Sequence, residues 1–336
     1  MMETITTLPE LTDFERRLLR LLDVDGRAPF SRLAANLGVS QHTVARAYRR
    51  LFARGVRLVG EFDFRRVDIT SWTLRIGCTP DGAQAIAAAL ARREDTTWVS
   101  LMSGGTEITC RQRARGQHPD SLLLEQLPRT NRVTSVSAQY VLHEFTAGQG
   151  SLSRWLSISD DTDANDLELT PVPARLDDAE PVALDDVDEA IITVLRRDGR
   201  ASHTELARVA NTSESTVRRR LEHLLDSGAV YIGVEIDQAT LGLNASAMLW
   251  LSVDPGELTE VGTTLAAHLE FPFVAAVTGP SNLIATVVSR NPRELYQQLT
   301  ERIGALPAIH HVETAPRMRT LKREGDVRSG GRDSTD

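Results

Sequence analysis

The 336-residue sequence is poor in cysteine, in aromatics (5%) and, above all, in lysine, of which it has one against 37 arginines. Cys78 and Cys110 are too few for a disulfide framework or a four-thiolate zinc site, so a reducing compartment is expected. No apolar run approaches the roughly 18 residues that a membrane helix needs. The opening MMETITTLPE has no basic stretch followed by an apolar one. A cytoplasmic protein with no membrane partner is the expectation. No phosphate loop, nucleophile elbow or kinase motif occurs. His310-His311 has no third ligand at suitable spacing, so neither a metal nor a cofactor is expected. The net charge of −8 excludes a globally basic nucleic-acid coat but not a local basic face. The arginine excess reads as genome composition and is weak evidence for phosphate binding.

What the chain does have is a repeat. Residues 11–60 align without gaps to 184–233 at a shift of 173, with 16 of 50 positions identical. Asp25-Gly26-Arg27-Ala28 returns as Asp198-Gly199-Arg200-Ala201, and Leu33-Ala34 as Leu206-Ala207. Ser40, Thr43, Val44 and Arg46 return as Ser213, Thr216, Val217 and Arg219. A looser match at a shift near 175 follows, with Gly104 on Gly279. A period this long means duplication of a two-part unit rather than a solenoid. Between the units, 159–181 carries eight acids, one base and three prolines, and reads as a solvated linker to which Trp155 anchors the preceding domain.

The first part of each unit reads as three short helices. Phe14, Leu18, Leu21 and Leu22 share one helical face, and Asp13 is placed to cap it. Asp-Gly-Arg makes a turn, a short helix carries Leu33 and Leu37, and Ser40 caps a third helix over 41–53. That is the helix-turn-helix layout, whose third helix enters the major groove. The groove-facing candidates are Ser40, Gln41, His42, Thr43, Arg46, Arg49 and Arg50, and in the second copy Glu214, Ser215, Thr216, Arg218, Arg219 and Arg220. Arginines near base edges read guanine or neutralise phosphate. Residues 11–60 hold ten bases and four acids, and 184–233 hold seven bases and nine acids. Copy one is therefore the expected stronger phosphate binder, and copy two is either a weaker binder or a structural module. The apolar stretches from Arg57 and Val230 read as exposed strands or wings.

The second part of each unit has the order βαββαβ, with a helix at Ser121–Leu127 in copy one and one from Pro292 through Ile303 in copy two. This is a ferredoxin-like sandwich. Its uncovered sheet face calls for self-association or for pairing of the two copies. The fold class is α+β, two repeats of a (winged) helix-turn-helix followed by a ferredoxin-like domain. The boundaries are 11–65, 70–147, an acidic linker at 148–182, 183–237, 243–322, and a disordered tail at 323–336.

Asp13, Leu21, Leu22, Asp25-Gly26-Arg27, Leu33-Ala34, Ser40, Val44, Arg46, Leu51 and Gly55-Val56, repeated from Asp186 to Gly228-Ala229, resemble the Lrp/AsnC transcriptional regulators. The resemblance covers nearly the whole chain except linker and tail. It implies a sequence-specific regulator without catalytic activity, with double-stranded DNA as partner and a small-molecule effector such as an amino acid. It also implies homo-oligomers, here with a fused pseudo-dimer in each chain. The family's Gly-x-x-Asp turn, near the effector pocket in relatives, corresponds to Gly104–Glu107 and Gly279–Asn282. Glu107 keeps a carboxylate and Asn282 does not, so the turns stand as effector site or as plain hairpin. The alternative is a siroheme decarboxylase-like enzyme of tetrapyrrole synthesis, a group that resembles the same family. Its histidine-and-tyrosine motif is missing from Thr97–Ser100 and Phe273–Ala276.

Overall fold

The computed structural model describes residues 11–63, 66, 67, 69–115, 126, 127, 129–146, 156 and 182–324. Most of the expected linker and of the Ser121–Leu127 helix, and Trp155, lie outside the described residues.

Copy one opens with α1 (Asp13–Val24), α2 (Phe30–Leu37) and α3 (Gln41–Ala53). The cap of α1 is Thr12, one residue before the expected Asp13, because Glu15 three residues on closes a capping box with it. Gly38 ends α2 at φ +66, and the Ser40 hydroxyl accepts from the Thr43 amide to start α3. Copy two repeats this as α5 (Asp186–Leu195), α6 (His203–Val209) and α7 (Glu214–Asp226), after α4 (Pro80–Ala91) of the intervening domain of copy one. Leu18, Leu22, Val44 and Leu51 bury against Leu33, as the helical spacing predicts. Leu19, off that face, is also fully buried because the core continues into the second copy.

The expected wings are not exposed. β1 (Arg57–Phe62) and β6 (Val230–Glu235) pair antiparallel from Arg57↔Glu235 to Phe62↔Val230. Each supplies the edge the other lacks, and Val59, Val230 and Ile232 are buried between the modules. Beside this sheet the Asp-Gly-Arg turns grip each other. Arg27 donates to the carbonyls of Gly199 (2.6 Å) and Ala201 (2.9 Å), and Arg200 donates to those of Gly26 (2.8 Å) and Ala28 (2.9 Å). A contact of i with j and j with i is the mark of a two-fold interface. Burial, and for Arg27 the neighbouring Arg200 charge, lower both guanidinium pKa values. Gly26 and Gly199 permit the approach, since a Cβ on either would meet the Ile232 side chain at 2.4 or 2.7 Å.

The second domains of the two copies are β2 (Ile69–Cys78), α4, β3 (Thr96–Met102), β4 (Glu107–Arg115) and β5 (Val133–Glu144), then β7 (Ala245–Val253), α8 (Leu258–Ala267), β8 (Phe273–Val277), β9 (Leu283–Ser289), α9 (Pro292–Gln297) and β10 (Ile309–Thr320). A π-helical segment, Gln298–Ile303, continues α9. Strand orders are β5-β2-β4-β3 and β10-β7-β9-β8, and β5 pairs with β8 while β10 pairs with β3. The two sheets thus close an eight-stranded barrel, so the copies cover each other. On one face of the first sheet Leu74, Ile76 and Ile108 pack with Ala83, Ala87 and Leu90 of α4. Between the sheets lie Met102, Met248, Trp250, Ala275 and Ile284.

The expected tail starts too early at 323. Arg323 and Glu324 are each 5% exposed, because the chain leaving β10 wedges between the first barrel half and the second three-helix module. Glu324 accepts from the Trp98 indole (3.1 Å) and pairs with Arg113, and the Arg323 guanidinium donates to the Ile236 carbonyl.

Arg27→Ala or Arg200→Ala removes two charge-assisted bonds and should cost about 2–4 kcal/mol in urea unfolding. Lysine should not rescue either, since one ammonium cannot span two carbonyls in fixed geometry. Glu61 of β1 accepts from the Tyr231 hydroxyl (2.7 Å) beside a cavity of about 310 Å³. Burial, opposed by the Tyr231 bond but joined by the Glu235 and Asp23 charges, pushes its carboxyl from 4.5 up to about 7. The folded state favours the protonated form, so this stabilisation is full below pH 4.5 and is lost as pH rises through 7. Stability should fall by on the order of 3 kcal/mol between pH 5 and 8. Glu61→Gln should flatten that slope.

Candidate functional site

The two third helices begin alike. Ser40 (φ −75, ψ 151) and Ser213 (φ −78, ψ 153) have the same backbone, and their hydroxyls accept from Thr43 (3.1 Å) and Thr216 (3.2 Å). Positions 173 apart therefore face the same way. Gln41, His42, Arg46, Arg49 and Arg50 are exposed on α3, as are Glu214, Ser215, Arg218 and Arg219 on α7. Thr43 and Thr216 are half-buried under their caps.

The arginines divide into two kinds. The guanidinium groups of Arg46, Arg218 and Arg219 have no hydrogen-bond or ion-pair partner among the described residues. Arg49 bonds only the Ala45 carbonyl of its own helix (3.3 Å). Arg50 reaches back to Glu15 (2.9 Å), and Arg220 to Asp185 (2.7 Å) and Asp188 (3.1 Å). Glu15 and Asp188 are the capping-box acids of the first helix in each copy, 1% and 2% exposed. Burial opposes the charge on Glu15, but Thr12 and Arg50 outweigh it and hold its carboxyl below the ordinary range. Arg50 and Arg220 thus tie the third helix to the first. The sequence signal for this was the acid three residues into the helix, which marks a cap but not its cation.

The two glycine turns expected near an effector pocket also differ. Gly104 (φ +70) and Gly105 (φ +87) form an open turn in which nothing lies within 4 Å of either glycine's Cβ position. Glu107 beside it pairs with Arg75 (2.6 Å) and accepts from the Ser103 hydroxyl (3.2 Å). Arg75 also pairs with Glu313 of copy two (2.5 Å) and lies 4.2 Å over the Trp250 ring. Bonds from Glu313 and Glu107, against burial, raise its guanidinium pKa. Sequence reading missed Arg75, Trp250 and Glu313, although Arg75 and Trp250 are 175 apart and so occupy matching places. The second turn is filled. Gln139 of copy one donates to the Thr278 (3.2 Å) and Ser281 (2.9 Å) carbonyls and accepts from the Trp250 indole (3.1 Å). Asn282 is bonded at both ends to the Val253 backbone, accepting at 2.9 Å and donating at 2.8 Å.

Both cysteines are buried free thiols. Cys110 lies opposite Leu74, four residues from Cys78 and about 13 Å along the strand, out of disulfide reach. Burial pushes the Cys110 thiol up to about 12. His310 pairs with Asp254 (2.9 Å), and no group of three or more ligating side chains occurs among the described residues. Among those residues no helix is long and apolar enough to cross a membrane.

Comparison with known proteins matches these elements. The AsnC-type helix-turn-helix domain matches residues 11–51 and 184–225, and the Lrp/AsnC ligand binding domain matches 246–327. The HTH-type transcriptional regulator FL11 of Pyrococcus horikoshii is 30% identical over 147 residues, 44% of this chain and 97% of that protein. An uncharacterized HTH-type transcriptional regulator of Pyrococcus furiosus is 31% identical over 133 residues, 39% of this chain and 90% of that one. The crystal structure of the siroheme decarboxylase NirDL superposes with a TM-score of 0.60 at 15% identity, covering 94% of both chains. That likeness is one of fold.

The Asn282 geometry generates a prediction. Asn282→Asp, which restores the aspartate usual at this turn, leaves the Val253 carbonyl facing a carboxylate. It should lower stability by about 1–3 kcal/mol in thermal or urea unfolding, with no gain in amino-acid binding.

Proposed function

This chain belongs to the Lrp/AsnC family of transcriptional regulators, and from that membership we propose that it binds double-stranded DNA sequence-specifically through α3 and α7. The observation that carries the reading is the matched pair Arg46 and Arg219. Both are exposed and unpartnered among the described residues, and they sit at equivalent places on two helices that the Arg27 and Arg200 contacts hold together. A guanidinium without an internal partner is available to guanine or phosphate. Gln41, His42 and Thr43 lie toward base edges, Arg49 and Arg218 toward the backbone. Arg50 and Arg220, already paired with buried acids, approach phosphate from fixed positions. The +6 first module is the stronger electrostatic anchor.

An effector, an amino acid by the family's habit, is taken at the first turn rather than the second. Arg75 and Glu107 there offer a cation and a carboxylate side by side, which complements a zwitterion. Binding would act by shifting how Arg75 divides between Glu107 and Glu313, two residues from different copies, and so how chains assemble. The decarboxylase reading rests on the NirDL fold alone.

Fluorescence anisotropy on duplex DNA from upstream of its own gene, across a salt series with random-sequence competitor, tests this. Affinity should fall steeply with salt. Arg46→Ala should weaken binding about 10- to 100-fold and Arg219→Ala less. Binding no tighter than to competitor, together with a spectral shift on titrating siroheme, would move the assignment to the enzyme.

A further inference from the structure

We propose that the DNA target is a non-palindromic duplex of two unlike half-sites in fixed order, with Gln41 and Glu214 setting the difference between them. The inference rests on the DNA-binding reading above and adds the class of sequence that it selects.

A dimer of identical chains presents two identical recognition helices, so its preferred site is an inverted repeat. Here the backbone relation is kept and the side-chain identity is lost. The matched Ser40 and Ser213 caps put residues 173 apart at equivalent places on α3 and α7. The pairing is internal to one chain, fixed by β1 against β6 and by the crossed bonds of Arg27 and Arg200. Both joints are already satisfied within the chain, so α3 and α7 are each other's partners. Whatever larger assembly forms, α3 and α7 arrive on DNA as an unlike pair.

The outward residues then say how the half-sites differ. Arg46 and Arg219 are the same, so both half-sites share the base that this arginine reads, guanine by its two acceptors. At the first exposed position Gln41 faces Glu214 in the alignment, and both side chains are exposed. Glutamine both donates and accepts and matches adenine N6 and N7, whereas glutamate only accepts and matches the cytosine amino group. About two turns further along, Arg49 corresponds to Glu222, and both are exposed. That acid repels the phosphates its counterpart attracts, so the first half-site bears more of the salt-sensitive affinity. The order of half-sites is thereby fixed as well as their identity.

Selection from a randomised duplex pool with the full chain tests the proposal. The expected consensus has a common guanine in two inverted halves, with adenine in one half where the other has cytosine. Three duplexes built from it, one–two, one–one and two–two, should rank in that order, with one–two at least about tenfold tighter than one–one. Glu214→Gln should erase that tenfold preference and Gln41→Glu should raise relative binding to two–two, with unchanged thermal melting showing that both variants fold. A strict inverted-repeat consensus, or a ranking unmoved by Glu214→Gln, overturns the proposal while leaving DNA binding intact. Failure to enrich any sequence overturns the DNA-binding reading beneath it.

Discussion

Two guanidinium groups reach from each Asp-Gly-Arg turn into the backbone of the other repeat, and the relation between the halves depends on them. Among the described residues Arg27 and Arg200 find four carbonyls and no carboxylate, close enough for Arg200 to depress the Arg27 pKa. Guanidinium tolerates this because it is planar and weakly hydrated, and forks onto two acceptors at once. The glycine before each arginine lets the turns close over Ile232. A turn motif that reads as local in the sequence is therefore the joint of a two-fold assembly.

Fusing the two copies removes the need for symmetry while keeping its geometry. In the barrel, Arg75 and Trp250 occupy matching strand positions and meet as cation and ring, a contact that two identical residues could not make so favourably. The two family turns have diverged likewise. One keeps an acid balanced against Arg75; the other is sealed by Gln139 and the twin bonds of Asn282. On the DNA-binding side the same freedom leaves one module at +6 and the other at −2.

Arginine abundance hides a division of labour. Arg50 and Arg220 neutralise buried capping acids, Arg113 answers Glu324, and Arg75 bridges the copies, whereas Arg46, Arg218 and Arg219 are left to solvent. Losing a partner costs a buried acid more than it costs an exposed arginine, so the first group is structural first. The second group is where a ligand of opposite charge has most to gain.

The repeat, both helix-turn-helix modules, the βαββαβ order and the third-helix residues were determined by the sequence itself, because caps, turns and apolar spacing are local. Ser40 and Ser213 cap as their spacing requires, and α3 and α7 end within the expected turn. Tertiary structure alone decided what the repeats do to each other. No local rule says that β1 must pair with β6, that Arg27 seeks the Gly199 carbonyl, or that Arg323 and Glu324 are buried rather than trailing. These are contacts across more than 80 residues, chosen by which edges and buried polar groups remain unsatisfied once the local elements have formed.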